Sequence, residues 1–168
     1  MLESLITSKT RVRLLIKFFL NIANKGYLNG LANEFGESTN SVRKELNNLS
    51  SAGYLEKHSK NNKVIYKANA SHPLFKIIQK IVHKHLGIEE ILETVYNTIG
   101  DVKKIMILGD YAKGIDSGLI EVLIVGENIN KEYLDEISPK IELKIKRKVS
   151  FFVSNKSLKQ NSLIIFEA

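Results

Sequence analysis

The sequence predicts an α+β fold in two parts, and three observations lead to this prediction. Residues 30–67 follow the order of a short helix, a tight turn, a second helix and a β-hairpin. From Lys103 onward, the apolar residues form short runs separated by glycines, which is typical of buried strands. Residues 1–86 hold 14 Lys and Arg against 5 Asp and Glu, whereas residues 87–168 hold 11 against 13, so the whole net charge of +7 originates in the first part.

The first long helix is predicted just before this segment, where apolar residues recur at helical spacing. Its buried stripe consists of Val12, Leu15, Ile16, Phe19 and Leu20. Lys17 interrupts the apolar run and no small-residue cleavage site follows, so we expect a structural helix rather than a secretion signal. No segment is long enough to predict a transmembrane helix.

The two helices between residues 30 and 53 have clear start and stop signals. Ser38 is a good N-cap because its hydroxyl can accept a hydrogen bond from an orphan backbone N–H group. Gly36 permits a sharp turn before this cap, and Gly53 suits the left-handed position after the second helix. The second helix buries Val42, Leu46 and Leu49 on one face.

The other face of the second helix carries long donors and amides that can reach base edges or phosphates in a major groove. Its candidate DNA-binding residues are Thr39, Asn40, Arg43, Lys44 and Asn47. Lys60 and Lys63 flank the polar turn of the following hairpin and would lie beside a phosphate backbone. The segment resembles a winged helix-turn-helix, which implies double-stranded DNA as the partner. An ordinary helical hairpin with a solvated polar face is the alternative.

The charge distribution favours the DNA interpretation. A localised basic excess attracts an anionic polymer, because phosphate contacts release condensed counterions. A membrane surface would attract the same charge, but no separate amphipathic anchor accompanies it, so no membrane partner is expected. The chain has no cysteine, which excludes disulfides and thiolate metal sites and is compatible with a cytoplasmic location.

A break at Ser71-His72-Pro73 separates the two parts. We predict a DNA-binding domain over residues 1–72, a connecting helix over 73–87 and a second domain over 88–168. The connecting helix has an apolar stripe of Leu74, Ile77, Ile78, Ile81, Val82 and Leu86, opposite Lys76, Lys80 and Lys84. Packing within the chain is favoured narrowly over a dimer interface. A further helical stripe consists of Ile88, Ile91, Leu92, Val95 and Ile99.

Residues 105–126 contain a glycine pattern between two apolar runs. Gly109, Ala112, Gly114 and Ser117 lie between a first run at 105–108 and a second at 119–125. Over roughly residues 88–154 the chain resembles a nucleotidyltransferase domain of the polymerase-β type, a small α/β domain with a mixed sheet. The resemblance places Leu119 and Glu121 where that family has paired carboxylates, which hold two divalent metals for nucleotidyl transfer.

The departures from the family pattern predict a domain without catalysis. Leu119 offers no oxygen to a metal, and Asp110 places a negative charge where a triphosphate would bind. Lys113 replaces an arginine and loses its bidentate fork, while Glu121 alone is a poor Mg²⁺ site. We therefore expect no catalytic residue, metal or cofactor. Two alternatives stay open: Asp110 and Asp116 could supply displaced ligands, or the glycine pattern could belong to a bare α+β dimerisation domain.

The end of the chain is less informative. Residues 130–148 predict a helix broken or kinked at Pro139, whose end is complemented by Lys144, Lys146, Arg147 and Lys148. Residues 149–153 and 163–166 are strand candidates.

Together these observations predict a DNA-binding transcriptional regulator that acts as a homodimer, with a nucleotidyltransferase-like domain for dimerisation or ligand sensing. A degenerate nucleotide site would comprise Gly109, Asp110, Lys113, Gly114, Leu119 and Glu121, so a small molecule or a nucleotide is the candidate effector. The first alternative is an active nucleotidyltransferase that modifies a protein or a small molecule. A winged helix that binds only proteins is the second.

Overall fold

The α+β prediction is confirmed. A computed structural model describes residues 1–96, 100–158 and 161–168, which contain both helices and two β-sheets. The chain divides into two compact units, Met1–Val82 and His83–Ala168.

The N-terminal unit has four α-helices before a hairpin and the start of a fifth after it. Its elements are α1 (Leu2–Leu5), α2 (Lys9–Phe19), β1 (Lys25–Tyr27), α3 (Leu28–Phe35), α4 (Thr39–Ser51), β2 (Leu55–Lys60) and β3 (Lys63–Ala68). Helix α5 (Phe75–Leu86) contains the boundary between the units. The three strands form one antiparallel sheet in the order β1-β3-β2.

Helix α2 is the centre of the N-terminal core. The predicted stripe is buried, and so are Leu14 and Phe18, which the stripe did not include. Val42, Leu46 and Leu49 are buried on α4 as predicted. A helix that is apolar on most of its circumference needs partners on several sides. Each apolar side chain left exposed would lose the roughly 1.5–3 kcal/mol of stabilisation that its burial provides. The ring of Phe75 supplies one such partner, 5.6 Å from the ring of Phe19.

The C-terminal unit begins with the end of α5 and contains α6 (Ile88–Tyr96), β4 (Asp101–Leu108), α7 (Gly109–Ala112), β5 (Leu119–Glu127), α8 (Lys131–Ile145), β6 (Lys148–Ser154) and β7 (Leu163–Glu167). Its four-stranded sheet has the order β6-β5-β4-β7. Strand β4 pairs antiparallel with β5 and β7, whereas β5 and β6 are parallel and are joined through α8. A parallel pair requires such a crossover connection. The predicted mixed sheet is therefore confirmed.

Both faces of this sheet are apolar near its centre. Ile105, Ile107 and Val122 are fully buried, and on the alternate positions Met106 and Leu123 belong to a second apolar cluster. Because successive strand residues point to opposite faces, a continuous apolar run of this kind predicts a strand covered on both sides.

Two details differ from the sequence predictions. Helix α8 continues without a break through Pro139. For the predicted connecting helix, intrachain packing holds for Val82 and Leu86 but is wrong for Ile77 and Ile81 on α5 and for Leu74 just before it, which are exposed. Ile99, the last residue of the next predicted stripe, lies outside the described residues.

Candidate nucleic-acid interface

The turn between α3 and α4 has the geometry that its sequence predicts. Gly36 adopts a left-handed conformation with φ of 62°, and the Glu37 N–H group donates to the Ala32 carbonyl at 3.0 Å. Ser38 Oγ then accepts a hydrogen bond from the Ser41 N–H group at 3.2 Å. These bonds satisfy backbone groups that both helix ends would otherwise leave unpaired, and they fix the direction in which α4 leaves the turn.

Helix α4 presents the predicted polar face to solvent. All five of its candidate residues are exposed, namely Thr39, Asn40, Arg43, Lys44 and Asn47. Arg43 Nη1 donates to Asn40 Oδ1 at 3.1 Å, one turn earlier on the same face. The exposed face therefore presents two cations, Arg43 and Lys44, and two amides, Asn40 and Asn47.

The tip of the β2–β3 hairpin carries two exposed lysines. Lys60 and Lys63 are cross-strand partners on either side of a two-residue turn. Asn61 and Asn62 form this turn, both with positive φ, as a tight hairpin of this length requires. Lys63 Nζ lies 4.6 Å from the centre of the Tyr27 ring on β1, a cation–π contact that sequence reasoning did not identify.

The inner side of α4 is tied to α2 by charged groups. Arg11 Nε donates to Glu45 Oε2 at 2.8 Å, and Ser8 Oγ donates to Glu45 Oε1 at 2.8 Å. Burial would raise the pKa of Glu45, but the hydrogen bonds from Arg11 and Ser8 outweigh it, so the pKa lies below its usual range. Glu45 is therefore a carboxylate held inside the unit, away from the polar face of α4.

The remaining carboxylates of residues 1–86 are engaged in the same way. Glu34 pairs with Lys17 at 2.9 Å, Glu37 accepts from Arg13 and Thr10, Glu56 pairs with Lys67 at 3.1 Å, and Glu3 pairs with the N-terminal amine at 2.9 Å. In contrast, Arg43, Lys44, Lys60 and Lys63 have no carboxylate within 4 Å among the described residues. The α4 face and the hairpin tip therefore carry unpaired positive charge. Other cations of residues 1–86 without an ion pair among the described residues are Lys9, Lys25, Lys57, Lys76 and Lys80.

In the C-terminal unit, the loop after β4 brings only part of the predicted nucleotide site together. Gly109 has φ of 59°, and a Cβ atom built there would overlap the carboxylate of Glu121. Leu119 and Glu121 share one face of β5, as the resemblance implies. Asp110 and Lys113 are exposed and Gly114 is buried. No hydrogen bond or ion pair joins Asp110 or Lys113 to Glu121 in the part of the chain that the structure describes.

A cluster around the buried Tyr111, which sequence reasoning missed, lies beside this loop. Arg147 binds Asp116 with two parallel hydrogen bonds, Nε to Oδ1 at 2.9 Å and Nη2 to Oδ2 at 2.6 Å. The hydroxyl of fully buried Tyr111 donates a hydrogen bond to Asp116. Burial, and to a smaller extent this hydrogen bond, raises the pKa of Tyr111 well above its usual range. Arg147 also donates to the Ile145 carbonyl at 3.1 Å, so its predicted role at the end of α8 is only part of its bonding.

The bonding of Asp116 bears on the alternative in which it supplies a metal ligand. Burial would raise its pKa, but the hydrogen bonds from Arg147 and Tyr111 outweigh this effect and lower it. Both oxygens are thereby engaged by a cation. Within residues 1–96, 100–158 and 161–168, no group of three or more His, Asp or Glu side chains could hold a metal ion. None of the helices in these ranges is both long and apolar enough to cross a membrane.

Comparisons with known proteins give limited information. No family model matches the chain, and no curated protein matches it. Among solved structures, the chain is similar to Sso10a-2, a DNA-binding protein from Sulfolobus solfataricus, with 18% sequence identity and a TM-score of 0.36. The match covers 51% of this chain and 86% of that one. Similarity of this degree establishes neither a family nor a function for this chain.

Proposed function

We propose that the N-terminal unit is a winged helix-turn-helix that binds double-stranded DNA, with α4 in the major groove and the hairpin tip at the phosphate backbone. The observation that carries this proposal is the separation of charge within the unit. Its carboxylates are paired with cations, while the exposed polar face of α4 and the hairpin tip keep unpaired Lys and Arg. Phosphate contacts need cations of this kind, and base edges need donors and amides.

On this proposal the protein is a transcriptional regulator that acts as a homodimer in the cytoplasm. A symmetric dimer reads two half-sites whose centres are roughly 10–10.5 base pairs, or one helical turn, apart. The polar residues of α4 would contact bases within each half-site, and Lys60 and Lys63 would contact the flanking phosphates.

Binding and selection experiments with the full chain test this function. Fluorescence anisotropy with a random-sequence duplex at increasing salt should give a linear fall in log affinity against log salt concentration, because counterion release drives the contact. Repeated selection from a random duplex library should then recover an inverted repeat. Affinity that does not change with salt would contradict DNA binding, and recovery of a single half-site would contradict the dimer.

For the C-terminal unit we propose a nucleotidyltransferase-like domain that does not catalyse transfer. Leu119 at the first carboxylate position supports this, since a leucine side chain cannot coordinate a metal. The ion pair between Arg147 and Asp116 supports it further. To act as a metal ligand in place of the missing carboxylate, Asp116 would have to break this bidentate pair. The domain would then serve in dimerisation or ligand sensing.

A further inference from the structure

A pocket with mainly apolar walls lies in the N-terminal unit, on the side of α4 opposite its polar face. Its volume is about 380 Å³ and its lining includes Leu15, Leu49, Ile78 and Val82. Pockets for small molecules typically measure roughly 300–1,000 Å³ and have mostly hydrophobic walls. The size and lining therefore suit a small organic molecule rather than a nucleotide, whose phosphates need many polar partners.

Two polar side chains, Arg11 and Asn48, also line the pocket. Arg11 uses only Nε for its bond with Glu45. Its two terminal nitrogens make no hydrogen bond to any of the residues that the structure describes. A planar guanidinium group with unused terminal donors matches a carboxylate, which can accept two parallel hydrogen bonds. The positive charge of this unit further disfavours a cationic ligand.

We propose that this pocket binds a small monocarboxylic acid with an apolar body. The carboxylate accepts hydrogen bonds from the terminal nitrogens of Arg11, and the apolar body packs against Leu15, Leu49 and Val82. A neutral apolar molecule of the same length would gain no charge-assisted hydrogen bond from Arg11 and would bind more weakly.

The site has a direct connection to α4. Asn48 and Leu49 line the pocket from the same helix as Arg43 and Lys44, and Ala52, which caps the end of that helix, also lines it. A ligand that binds one position of α4 better than another shifts the population of that position. Regulation of DNA binding through this pocket rests on the proposed function, whereas ligand binding itself does not.

Nuclear magnetic resonance titration of the full chain tests the site in the absence of DNA. The probes are octanoate, octan-1-ol and octylamine, which share one chain length and differ in charge. We expect octanoate to cause saturable shifts confined to residues around the pocket, with an affinity at least tenfold higher than that of octanol, and octylamine to cause none. Equal affinity for octanoate and octanol would overturn the proposal.

One pair of variants and one single substitution locate the binding. Ala52→Phe places a ring in the pocket and should abolish the octanoate shifts, whereas Ser51→Phe, on the neighbouring exposed position that does not line the pocket, should leave them unchanged. Arg11→Lys keeps a cation for Glu45 but loses the guanidinium group that can bind a carboxylate through two hydrogen bonds. It should therefore weaken octanoate binding at least tenfold.

Sedimentation velocity distinguishes a ligand site from an interface between two copies of the chain. Octanoate should bind without changing the sedimentation coefficient. A dimer that Ala52→Phe dissociates, together with no octanoate binding to the parent chain, would show that a second copy fills the pocket and would overturn the proposal. Because none of these measurements contains DNA, their failure is distinguishable from failure of the proposed function.

Discussion

Arg11 Nε lies 2.8 Å from Glu45 Oε2, and this pair joins the beginning of α2 to the inner side of α4. The Glu45 side chain is almost completely buried, at 8% exposure, whereas that of Arg11 is 40% exposed. The pair therefore places a charged tether beneath the helix whose outer face is proposed to contact DNA. It also removes one of the few negative charges of the unit from that face.

Loss of the tether should destabilise the N-terminal unit. Arg11→Ala leaves the Glu45 carboxylate buried with only the uncharged donors Ser8 and Asn48, so we expect the free energy of unfolding to fall by roughly 1–3 kcal/mol. Urea unfolding at neutral pH, followed by circular dichroism, measures the change. Lys9→Ala is the matched control because Lys9 is an exposed cation on the same helix. Equal stability of Arg11→Ala and Lys9→Ala would contradict the tether.

The same pair predicts a pH dependence. The pKa of Glu45 is lower in the folded state than its ordinary value of 4.5, so the carboxylate contributes stability above that value. The contribution is lost as the pH falls through the lowered pKa of the folded state. Glu45→Gln should therefore lose less stability on acidification than the parent chain does. Parallel acid titrations of the two proteins, each followed by urea unfolding, measure this difference.

Gly109 and Gly36 provide a test of the contact between the loop after β4 and Glu121. Both glycines have φ near 60°, but a Cβ at Gly36 would meet nothing within 4 Å, whereas one at Gly109 would overlap Glu121. Gly36→Ala should cost about 1–2 kcal/mol from the left-handed conformation alone. Gly109→Ala must also move the Glu121 carboxylate, the end of a flexible side chain, so we expect a modestly larger cost, and Glu121→Ala should remove only that excess. Equal costs of the two glycine substitutions, measured by denaturant unfolding, would show that the Glu121 carboxylate does not resist displacement from this space.

The hairpin tip predicts a change in the salt dependence of DNA binding. Each lost phosphate contact should lower the slope of log affinity against log salt concentration by about 0.9. Lys60→Ala combined with Lys63→Ala should therefore reduce the slope by up to two such steps and weaken binding similarly for different sequences. Anisotropy titrations at several salt concentrations measure the slope. An unchanged slope would remove the hairpin tip from the interface.

The C-terminal unit should not turn over nucleotides. On the proposed resemblance, Leu119 stands at one ligand position and Asp116 is bound by Arg147, so a two-metal centre would lack its carboxylates. Incubation with each nucleoside triphosphate and Mg²⁺ or Mn²⁺ should release no pyrophosphate above background and should label no protein. Metal-dependent release that disappears in Glu121→Ala would support the alternative of an active nucleotidyltransferase.

The parts of the fold that follow from local sequence were predicted correctly. Ser38 caps α4, Gly36 and Gly53 have positive φ, and the turn at Asn61 joins two strands. Each of these features depends on residues within one or two turns of each other. The change in hydrophobic period near Lys103 predicted strands, whereas the mixed direction of the sheet was expected only from the resemblance to a nucleotidyltransferase domain.

The contacts that organise the candidate sites could not be predicted from local patterns. Arg11 and Glu45 are 34 residues apart, and Asp116 and Arg147 are 31 apart. Nothing in either short segment identifies its partner, because ion pairs of this kind form only when tertiary packing brings two helices or two connecting segments together. Burial of Phe18 was missed for the same reason, since it depends on partners that surround α2. The DNA-binding residues stay a prediction.

The most direct test of the central claim compares two double variants that remove the same charge from different surfaces. Arg43→Ala with Lys44→Ala changes the polar face of α4, and Lys76→Ala with Lys80→Ala changes exposed cations on α5. We predict that the α4 variant loses at least tenfold in affinity for duplex DNA at moderate salt, that the α5 variant loses much less, and that both keep the parent's unfolding midpoint. Equal affinity of a folded α4 variant and the parent chain would contradict the assignment of α4 as the helix that contacts DNA in the major groove.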